Sequence, residues 1–372
     1  MPELETITET GEYILNVGPQ HPATHGVMHL RIKLDGEIIE SIEPVLGYIH
    51  RSIEKMSESL TYRQLIQMTS RMDYLSAHIN NTGVALTIER ALQVEVPQRA
   101  LVVRTILAEL TRLASHQLWW AATGLDLGAV TPFFLGFRDR EVITTIFEEV
   151  CGSRLTMNYI VPGGLMEDIP NGFAERVNKF LIDFEHHLPE YDQLLSDNEI
   201  FLARNVGIGI LSKEEALSFG CSGPMARASG LSCDVRKWHP YDLYSSLEFN
   251  EVLLTQGDCY ARYKVRIREM YQSIRIIKQL INQIPEGEYQ AKVKKIIKLP
   301  EGEYYERVET ARGEFGVYII SDGKSSNPYR IKYRSPGFSN LASLSALATG
   351  GNIGDLVAIM ASIDLVIPDI DR

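Results

Sequence analysis

The spacing of apolar residues changes near residue 46, and this change limits the folds open to the chain. Before it, apolar and polar residues alternate as in strands, which are predicted over 12–17, 27–34 and 38–45. After it, apolar residues recur at helical spacing, and helices are expected to dominate to about residue 284. Strand and helix do not alternate as they do in a βαβ array. The sequence therefore predicts an α+β fold, a helical bundle with small antiparallel sheets at its N-terminal and C-terminal regions.

These patterns divide the chain into three predicted regions of a single unit. They are an N-terminal β-sheet region over 1–46, a helical core over 47–284 and a C-terminal α+β region over 285–372. Within the core, one helix is expected from Pro97 to about Thr123, where Gly124 would end it. Further helices are predicted over 139–151, 172–195, 213–219, 250–283 and 353–363, with a linker over 285–300 and strands over 315–320 and 329–333.

The helix predicted over 250–283 is rich in arginine and lysine, including Arg262 and Arg266. Two interpretations are open: a basic face in contact with solvent, which such charge runs usually form, and a face on which a partner docks. Over the whole chain the balance is acidic, because 37 Lys and Arg face 48 Asp and Glu, a net charge of -11. General attraction to nucleic acid or to anionic lipid is therefore not expected.

The cysteines argue against a metal site within the chain. There is no CxxC pair among Cys151, Cys221, Cys233 and Cys259, so zinc ribbons and self-contained iron–sulfur sites are not expected, and we predict four free, buried thiols. The acidic N-terminus lacks the features of a secretory signal, and the longest uncharged run, 335–354, is broken by proline, glycine and polar residues. We therefore expect a protein on the cytosolic side that reaches a membrane only through partners.

Histidines and prolines are concentrated in the segment GPQHPATHG over 18–26, between the first two predicted strands. Such a loop can present the imidazoles of His21 and His25, and histidine transfers protons near neutral pH. The alternative is a structural turn whose histidines cap backbone groups. The P-loop, GxSxG and HExxH motifs are absent from the sequence, and Gly207-Ile208-Gly209 lacks the third glycine of a dinucleotide site, so binding of a nicotinamide cofactor is not expected.

Two further candidates stand on or beside predicted helices. Tyr74 offers a phenolic donor, although tyrosine on an amphipathic helix more often packs at the edge of a core. Asp126 lies in the largely apolar segment GLDLGAVTP and needs a hydrogen-bond partner or a proton, although capping of the following helix is the more common role. The pair His186-His187 is expected at the surface rather than at a metal.

Many short segments of the chain resemble one protein family, in the same order. They include GPQHPATHG, GYIHRSIEKM, RMDYL, ELTRLASH, GLDLGAVTPF, FRDRE, GPMARASG, DVRK, RIREM, ARGEFG and the final DR. From Tyr13 to Arg372 the chain resembles the 49 kDa subunit family of NADH-quinone oxidoreductase, the quinone-site subunit of respiratory complex I. That family is related to the large subunits of nickel–iron hydrogenases, and the resemblance implies a hydrogenase large-subunit-like helical bundle.

The resemblance also implies that the hydrogenase metal site has been lost. Hydrogenases hold nickel through two pairs of cysteines, whereas this chain has no cysteine around 71–74 and has Val366, Asp369 and Arg372 near its end. Valine and a single carboxylate cannot replace soft thiolate ligands. We therefore expect no metal in this chain, and a cavity, left from the emptied site, that receives a quinone headgroup.

In the resembled family the quinone is the substrate, and it lies beside a small partner subunit that carries the terminal [4Fe-4S] cluster. The resemblance implies that His25 and Tyr74 hydrogen-bond the two ends of the headgroup, with His21 also at the quinone. Asp126 would pair with His25 and orient its imidazole. A phenol and an imidazole at the two carbonyl oxygens can supply the protons that quinone reduction requires.

By the same resemblance, Arg51 and Arg71 face the partner's cluster, where positive charge raises the reduction potential. Many relatives have a histidine at the position of Thr156, which has no titratable group. The pH dependence of the cluster potential is therefore expected to be weaker in this protein.

The activity implied is that of a proton-translocating NADH-quinone oxidoreductase, a translocase that works only as an assembly with other peripheral-arm and membrane-arm subunits. The chain would be a peripheral protein on the cytoplasmic side of the cell membrane. A non-catalytic, hydrogenase-like scaffold subunit of a related membrane-bound redox complex is the alternative. A soluble hydrogenase requires the missing cysteines, and the retained His25, Tyr74 and Asp126 favour quinone over a membrane-bound hydrogenase or formate-linked complex.

Overall fold

The computed structural model describes residues 3–5, 12–21 and 26–372. Short strands come first: β1 (Glu3–Glu5), β2 (Glu12–Val17), β3 (Gln20–His21), β4 (Gly26–Val27), β5 (His29–Asp35) and β6 (Ile38–Val45). In this described part, β1, β2, β5 and β6 form an antiparallel sheet in that order, whereas β3 pairs with β4 in a separate ribbon. The three predicted strands are confirmed, except that the second begins at His29 because Val27 belongs to the ribbon.

Helices dominate the middle of the chain, as predicted from the apolar spacing. They are α1 (Ile53–Ser57), α2 (Tyr62–Thr69), α3 (Ala77–Leu92), α4 (Gln98–Asp126), α5 (Val130–Cys151), α6 (Phe173–Tyr191), α7 (Glu199–Ala203), α8 (Lys213–Ser218), α9 (Gly223–Ala228), α10 (Val235–Trp238) and α11 (Cys259–Leu280). Two short paired strands, β7 (Ile160–Val161) and β8 (Gly164–Leu165), lie between α5 and α6. The helix predicted from residue 250 begins only at Cys259, because the Asp258 side chain caps it by accepting a hydrogen bond from the N–H of Ala261.

The C-terminal region combines an antiparallel sheet with short helices. Its elements are β9 (Gly302–Thr310), β10 (Gly313–Ser321), β11 (Arg330–Arg334), α12 (Pro336–Ala342), α13 (Leu344–Ala348), α14 (Leu356–Ile363) and α15 (Ile367–Asp371), with sheet order β11-β10-β9. Strand β9 was not predicted, because Glu306 and Glu309 interrupt its apolar pattern. Both glutamates are nevertheless buried, since basic side chains pair with them. The α+β class is confirmed.

Helices α4 and α5 pack closely because glycines stand at their contacts. The predicted helix end at Gly124 is wrong, since α4 continues to Asp126. A Cβ atom on Gly124 would lie 2.6 Å from the Cβ atom of Pro132, and one on Gly136 would lie 2.8 Å from that of Ala121. Glycine at these positions therefore serves helix packing and not helix termination.

The buried apolar residues form two principal clusters. The larger cluster contains residues of helices α2 through α6, of helix α11 and of the sheet β9–β11. The second joins one face of β5 and β6 to α8, α9 and α12 to α15, so residues from the two ends of the chain share a core. This sharing brings the loop after β6 against the C-terminal helices.

Several arginines are fully buried and paired with carboxylates. Arg104 pairs with Glu89, Arg112 with Glu109, Arg227 with Glu269 and Glu309, and Arg236 with Asp234 and Glu109. On α11, Arg262 and Arg266 are also buried, and Arg262 donates to the backbone carbonyls of Gly209 and Gly257. The interpretation as a solvent-exposed basic face is therefore wrong for these two residues, which bond backbone oxygens in the interior, and it holds for Arg268, Arg275 and Lys278, which are exposed.

The cysteines and the histidine pair differ in part from expectation. All four thiols are free, but only Cys221 and Cys259 are buried, while Cys151 and Cys233 are partly exposed. His186 is exposed as predicted, whereas the partly buried ring of His187 lies with Nδ1 2.9 Å from a carboxylate oxygen of Asp139.

Candidate functional site

The turn between α2 and α3 places Tyr74 beside a buried carboxylate. Within this turn, Asp73 is almost fully buried and Tyr74 is partly buried. The carboxylate of Asp73 accepts a hydrogen bond from the N–H of Leu75 at 3.1 Å, and its carbonyl accepts one from the side-chain amide of Asn80 at 3.3 Å. These bonds fix the backbone on both sides of Tyr74, so the phenol is presented from a rigid turn.

Beneath this turn, Arg312 joins two carboxylates that are distant in sequence. Its guanidinium lies 3.0 Å from Asp73 and 3.1 Å from Asp364, and it also donates to the Ser115 hydroxyl at 3.1 Å. Arg312 follows β9 in the tight turn to β10, and Asp364 follows α14 in the left-handed conformation. The fold thus assembles a buried ion cluster, which we call the Arg312 cluster (Asp73, Arg312 and Asp364), from three separate segments.

The surroundings of the Arg312 cluster change the acidity of neighbouring groups. Burial raises the pKa of Tyr74 above its usual value of 10.0, an effect that Arg312 opposes and that Asp73 and Asp364 reinforce. Burial and the charge of Asp73 raise the pKa of Asp369 to about 7, although the Ser335 hydroxyl donates a short hydrogen bond to its carboxylate. Tyr74 is therefore a protonated phenol at neutral pH, able to donate a hydrogen bond.

A second set of contacts brings Arg51 and Arg71 together. The guanidinium of Arg51 donates to the backbone carbonyl of Arg71 at 2.7 Å, and both residues are exposed. The N–H of Arg51 donates to the carbonyl of Arg372 at 3.2 Å. Because Arg71 lies three residues before Tyr74 in the same connection between α2 and α3, these charges lie at the edge of the surface that carries the phenol.

The loop over 47–51 is held by the C-terminal helix α15. The two carboxylate oxygens of Asp371 accept hydrogen bonds from the N–H groups of Gly47 at 2.9 Å and Ile49 at 3.0 Å. The Nδ1 atom of His50 lies 2.6 Å from the carbonyl oxygen of Asp371. We call this arrangement the Asp371 clasp; it sets the backbone from which Arg51 extends.

Asp126 is placed at the C-terminal end of α4, where it is partly exposed. It does not cap α5, whose N-cap residue is Ala129, so the capping interpretation is wrong. Ser115 contacts the Arg312 cluster from the same helix, and the 11 residues that separate it from Asp126 correspond to about 16 Å along the axis. The structure therefore does not bring Asp126 next to that cluster.

The predicted histidines fall largely outside the described residues. His25 lies within 22–25, which the structure does not describe, and only the backbone of His21 is described, in β3. The ribbon pairs His21 with Gly26, the residue that follows His25. A Cβ atom on Gly26 would lie 2.8 Å from the Cγ1 atom of Ile367, so this end of the ribbon packs on α15.

Sequence reasoning missed two residues near Tyr74, Arg312 and Asp364. The segment ARGEFG contains Arg312, and the residue types alone assigned it no role. Only a weak signal was present, because Arg312 precedes the apolar strand predicted over 315–320 but follows a segment whose glutamates concealed strand β9. Among the described residues, no group of three or more His, Cys, Asp or Glu side chains is arranged to hold a metal ion. None of the described helices has the length and apolar composition that crossing a bilayer requires.

Comparison with known proteins identifies relatives along almost the whole chain. The sequence model of the family described as "Respiratory-chain NADH dehydrogenase, 49 Kd subunit" matches residues 126–299 and 292–372. The chain is 51% identical over 361 residues to the C/D subunit of NADH-quinone oxidoreductase from Bacteroides thetaiotaomicron, covering 97% of this chain and 68% of that protein. It is 47% identical over 363 residues to the D subunit of NADH-quinone oxidoreductase from Bacillus thuringiensis, covering 97% of this chain and 99% of the relative.

Proposed function

The chain belongs to the family of the 49 kDa subunit of respiratory-chain NADH dehydrogenase, and from this premise we propose that it is the quinone-binding subunit in the peripheral arm of a proton-translocating NADH-quinone oxidoreductase. The supporting observation is the placement of Tyr74: a protonated phenol, on a turn fixed by hydrogen bonds, at the edge of a buried ion cluster. A binding surface for a small electrophilic ring needs such a preorganised donor.

In this proposal, Tyr74 donates a hydrogen bond to one carbonyl oxygen of the quinone headgroup. Reduction to the quinol takes up two electrons and two protons, so donors at both oxygens stabilise the charge that develops there. His25 would serve the second oxygen, and Asp126 would pair with its imidazole. His21 would line the same site. The change in charge on Asp126 after proton transfer would then bias the conformation of the membrane arm.

The electrons would come from a [4Fe-4S] cluster held by a small partner subunit. Arg51 and Arg71 are exposed and joined by a hydrogen bond, as expected for residues that face a partner. Their positive charges would stabilise the reduced form of the cluster. Other peripheral-arm and membrane-arm subunits would complete the complex and hold this chain at the cytoplasmic face of the cell membrane.

The proposal is tested by replacing Tyr74 with phenylalanine and, separately, His25 with alanine in the assembled complex. The matched control is Tyr329→Phe, because Tyr329 is 72% exposed and precedes β11, outside the turn that carries Tyr74. Y74F loses one hydrogen bond to the quinone oxygen on which negative charge develops, so we expect the rate of quinone reduction to fall by roughly ten- to a hundredfold. Electron transfer from NADH to a water-soluble artificial acceptor should be unchanged.

Near-normal quinone reduction in both Y74F and H25A would refute the assigned roles. That result would instead favour the non-catalytic scaffold, in which the chain holds neighbouring subunits without contacting the reacting quinone. Assembly of each variant is checked by the migration of the intact complex, so that a lost activity is not a lost complex.

A further inference from the structure

A cavity of about 610 Å³ lies at the end of α3 that is opposite to Tyr74. Its lining includes Glu89, which is 12 residues beyond the first residue of α3 and therefore about 18 Å along the helix. The remaining walls come from the loop between α3 and α4, from residues 239–242 and from Glu306 on β9. The cavity is therefore separate from the proposed quinone site and does not depend on that proposal.

Buried charges lie at the wall formed by Glu89 and Asp242. The fully buried Arg104 donates to both carboxylate oxygens of Glu89, at 2.6 and 3.1 Å, and to the carbonyls of Val161 and Gly164. Asp242 receives no such bond: its Oδ1 atom has no hydrogen-bond partner, and the nearest nitrogen of Arg104 is 4.0 Å away. The Asp242 side chain is only 2% exposed, so bulk water does not solvate it freely.

The charges at this wall do not balance when both carboxylates are ionised. Arg104 is already paired in a bidentate manner with Glu89, which leaves one negative charge at Asp242 without a close partner. On the other wall, Glu306 is paired with Arg90 and lies 3.1 Å from His239, so those groups satisfy each other. A buried carboxylate that borders an open cavity is stabilised most directly by a cation that enters the cavity.

We propose that this cavity binds a primary ammonium group on an aliphatic chain, with the ammonium at Asp242. A single carboxylate with one unbonded oxygen suits a compact ammonium, whereas a guanidinium prefers a bidentate partner. The aliphatic chain would lie against the apolar lining, which consists of Leu86, Val94, Val96, Leu101 and Pro240. In the described part of the chain no set of ligands for a metal ion is found, so a metal is not the expected occupant.

The same chemistry has two possible sources, a free aliphatic amine and a lysine side chain of a neighbouring subunit. Burial raises the pKa of Asp242 to about 7, so an ammonium that binds the ionised carboxylate displaces a proton. Affinity should therefore rise between about pH 6 and pH 8. The charged and titratable groups around Asp242 are Arg104, Glu89 and the adjacent Tyr241, with Glu306, Arg90 and His239 across the cavity.

The first arm of the test uses the full chain and n-pentylammonium as the probe, with binding measured by calorimetry. The uncharged 1-pentanol is the control ligand, and Glu286→Gln, at an exposed position, is the control variant. Asp242→Asn should weaken binding by about tenfold or more. Val94→Trp, which fills the cavity and leaves the carboxylate in place, should abolish binding, and it provides the test if D242N does not fold.

The second arm uses the assembled complex and a carbodiimide, which joins a carboxylate directly to a lysine amine in contact with it. A peptide containing Asp242 linked to a partner's lysine assigns the cavity to that lysine, while binding of the free amine without such a link assigns it to a small amine. Equal binding of n-pentylammonium and 1-pentanol, or binding unchanged in both D242N and V94W, together with no cross-link, would overturn the proposal.

Discussion

Replacing Arg312 by methionine should destabilise the protein strongly, because it leaves two buried carboxylates without their cation. The guanidinium makes hydrogen bonds to Asp73, to the side chain and carbonyl of Asp364, and to Ser115, all with Arg312 about 1% exposed. Breaking a buried ion pair by removing one partner costs about 3–5 kcal/mol. Two carboxylates are affected here, so we expect a value near the upper end of that range.

The assay is unfolding of the purified full chain in urea, with the free energy of unfolding taken from the midpoint and slope. Arg330→Met is the matched control, since Arg330 also contacts two glutamates, Glu54 and Glu58, but is 42% exposed. Exposed ion pairs contribute about 0–1 kcal/mol, and this variant should lose no more. Because both arginines contact two carboxylates, the difference between the two variants reports the effect of burial on the free energy of unfolding and not the effect of the number of ion pairs.

A rescue experiment tests the stated cause. If uncompensated charge is responsible, R312M combined with D73N and D364N should recover much of the lost stability, because neutral amides need no cation. The reasoning is refuted if R312M lies within about 1 kcal/mol of R330M, a difference smaller than any buried pair should give. It is also refuted if the triple variant is no more stable than R312M alone.

Three further predictions concern separate parts of the chain. Burial alone would raise the pKa of Glu109, but the buried arginines outweigh it and lower this pKa from 4.5 to about 2. The ionised Glu109 therefore adds about 3 kcal/mol to the free energy of unfolding above pH 4.5, and this stabilisation is lost as the pH falls through 2. Glu109→Gln should therefore reduce the free energy of unfolding by about that amount at pH 7 and by about 1 kcal/mol less at pH 3.5, measured in urea; an equal deficit at both pH values contradicts this. Asp371→Asn removes one of the two carboxylate oxygens that accept hydrogen bonds from the 47–51 loop, so hydrogen exchange of the Gly47 and Ile49 amides should accelerate by roughly tenfold. Unchanged exchange would show that the clasp does not hold the loop. Thr156→His should make the reduction potential of the partner's cluster depend on pH, as measured by redox titration of the complex at several pH values. If the potential in the unmodified protein already changes by about 59 mV per pH unit, the role given to Thr156 is wrong.

The arrangement of elements was predictable where one physical pattern dominated. Strand β5 follows from period-two alternation, and the long helices follow from apolar residues at helical spacing. Strand β9 was missed because Glu306 and Glu309 interrupt its apolar pattern, and their burial depends on arginines from other elements. That dependence is tertiary, and no local window of the sequence contains it.

The candidate site was predictable to a lesser extent. Tyr74 was selected by residue type and resemblance and Arg51 and Arg71 by resemblance alone; their roles stay predictions, and the structure adds the hydrogen bond between the two arginines. Arg312 and Asp364 were not identified, because they meet Asp73 only after β9 and β10 have packed against α3 and α14 has packed against α4. The same reason explains α11, whose buried arginines resemble a charged surface until their carbonyl partners are known.

The Asp371 clasp has a consequence for the order of events during synthesis. Its two hydrogen bonds join residues separated by 324 and 322 positions in the sequence, so the loop that carries Arg51 is made early and secured late. Such distant pairing cannot form until residue 371 has left the ribosome. Until α15 has folded against it, the loop lacks the carboxylate acceptors that fix its backbone, so the position of Arg51 is set only late in folding.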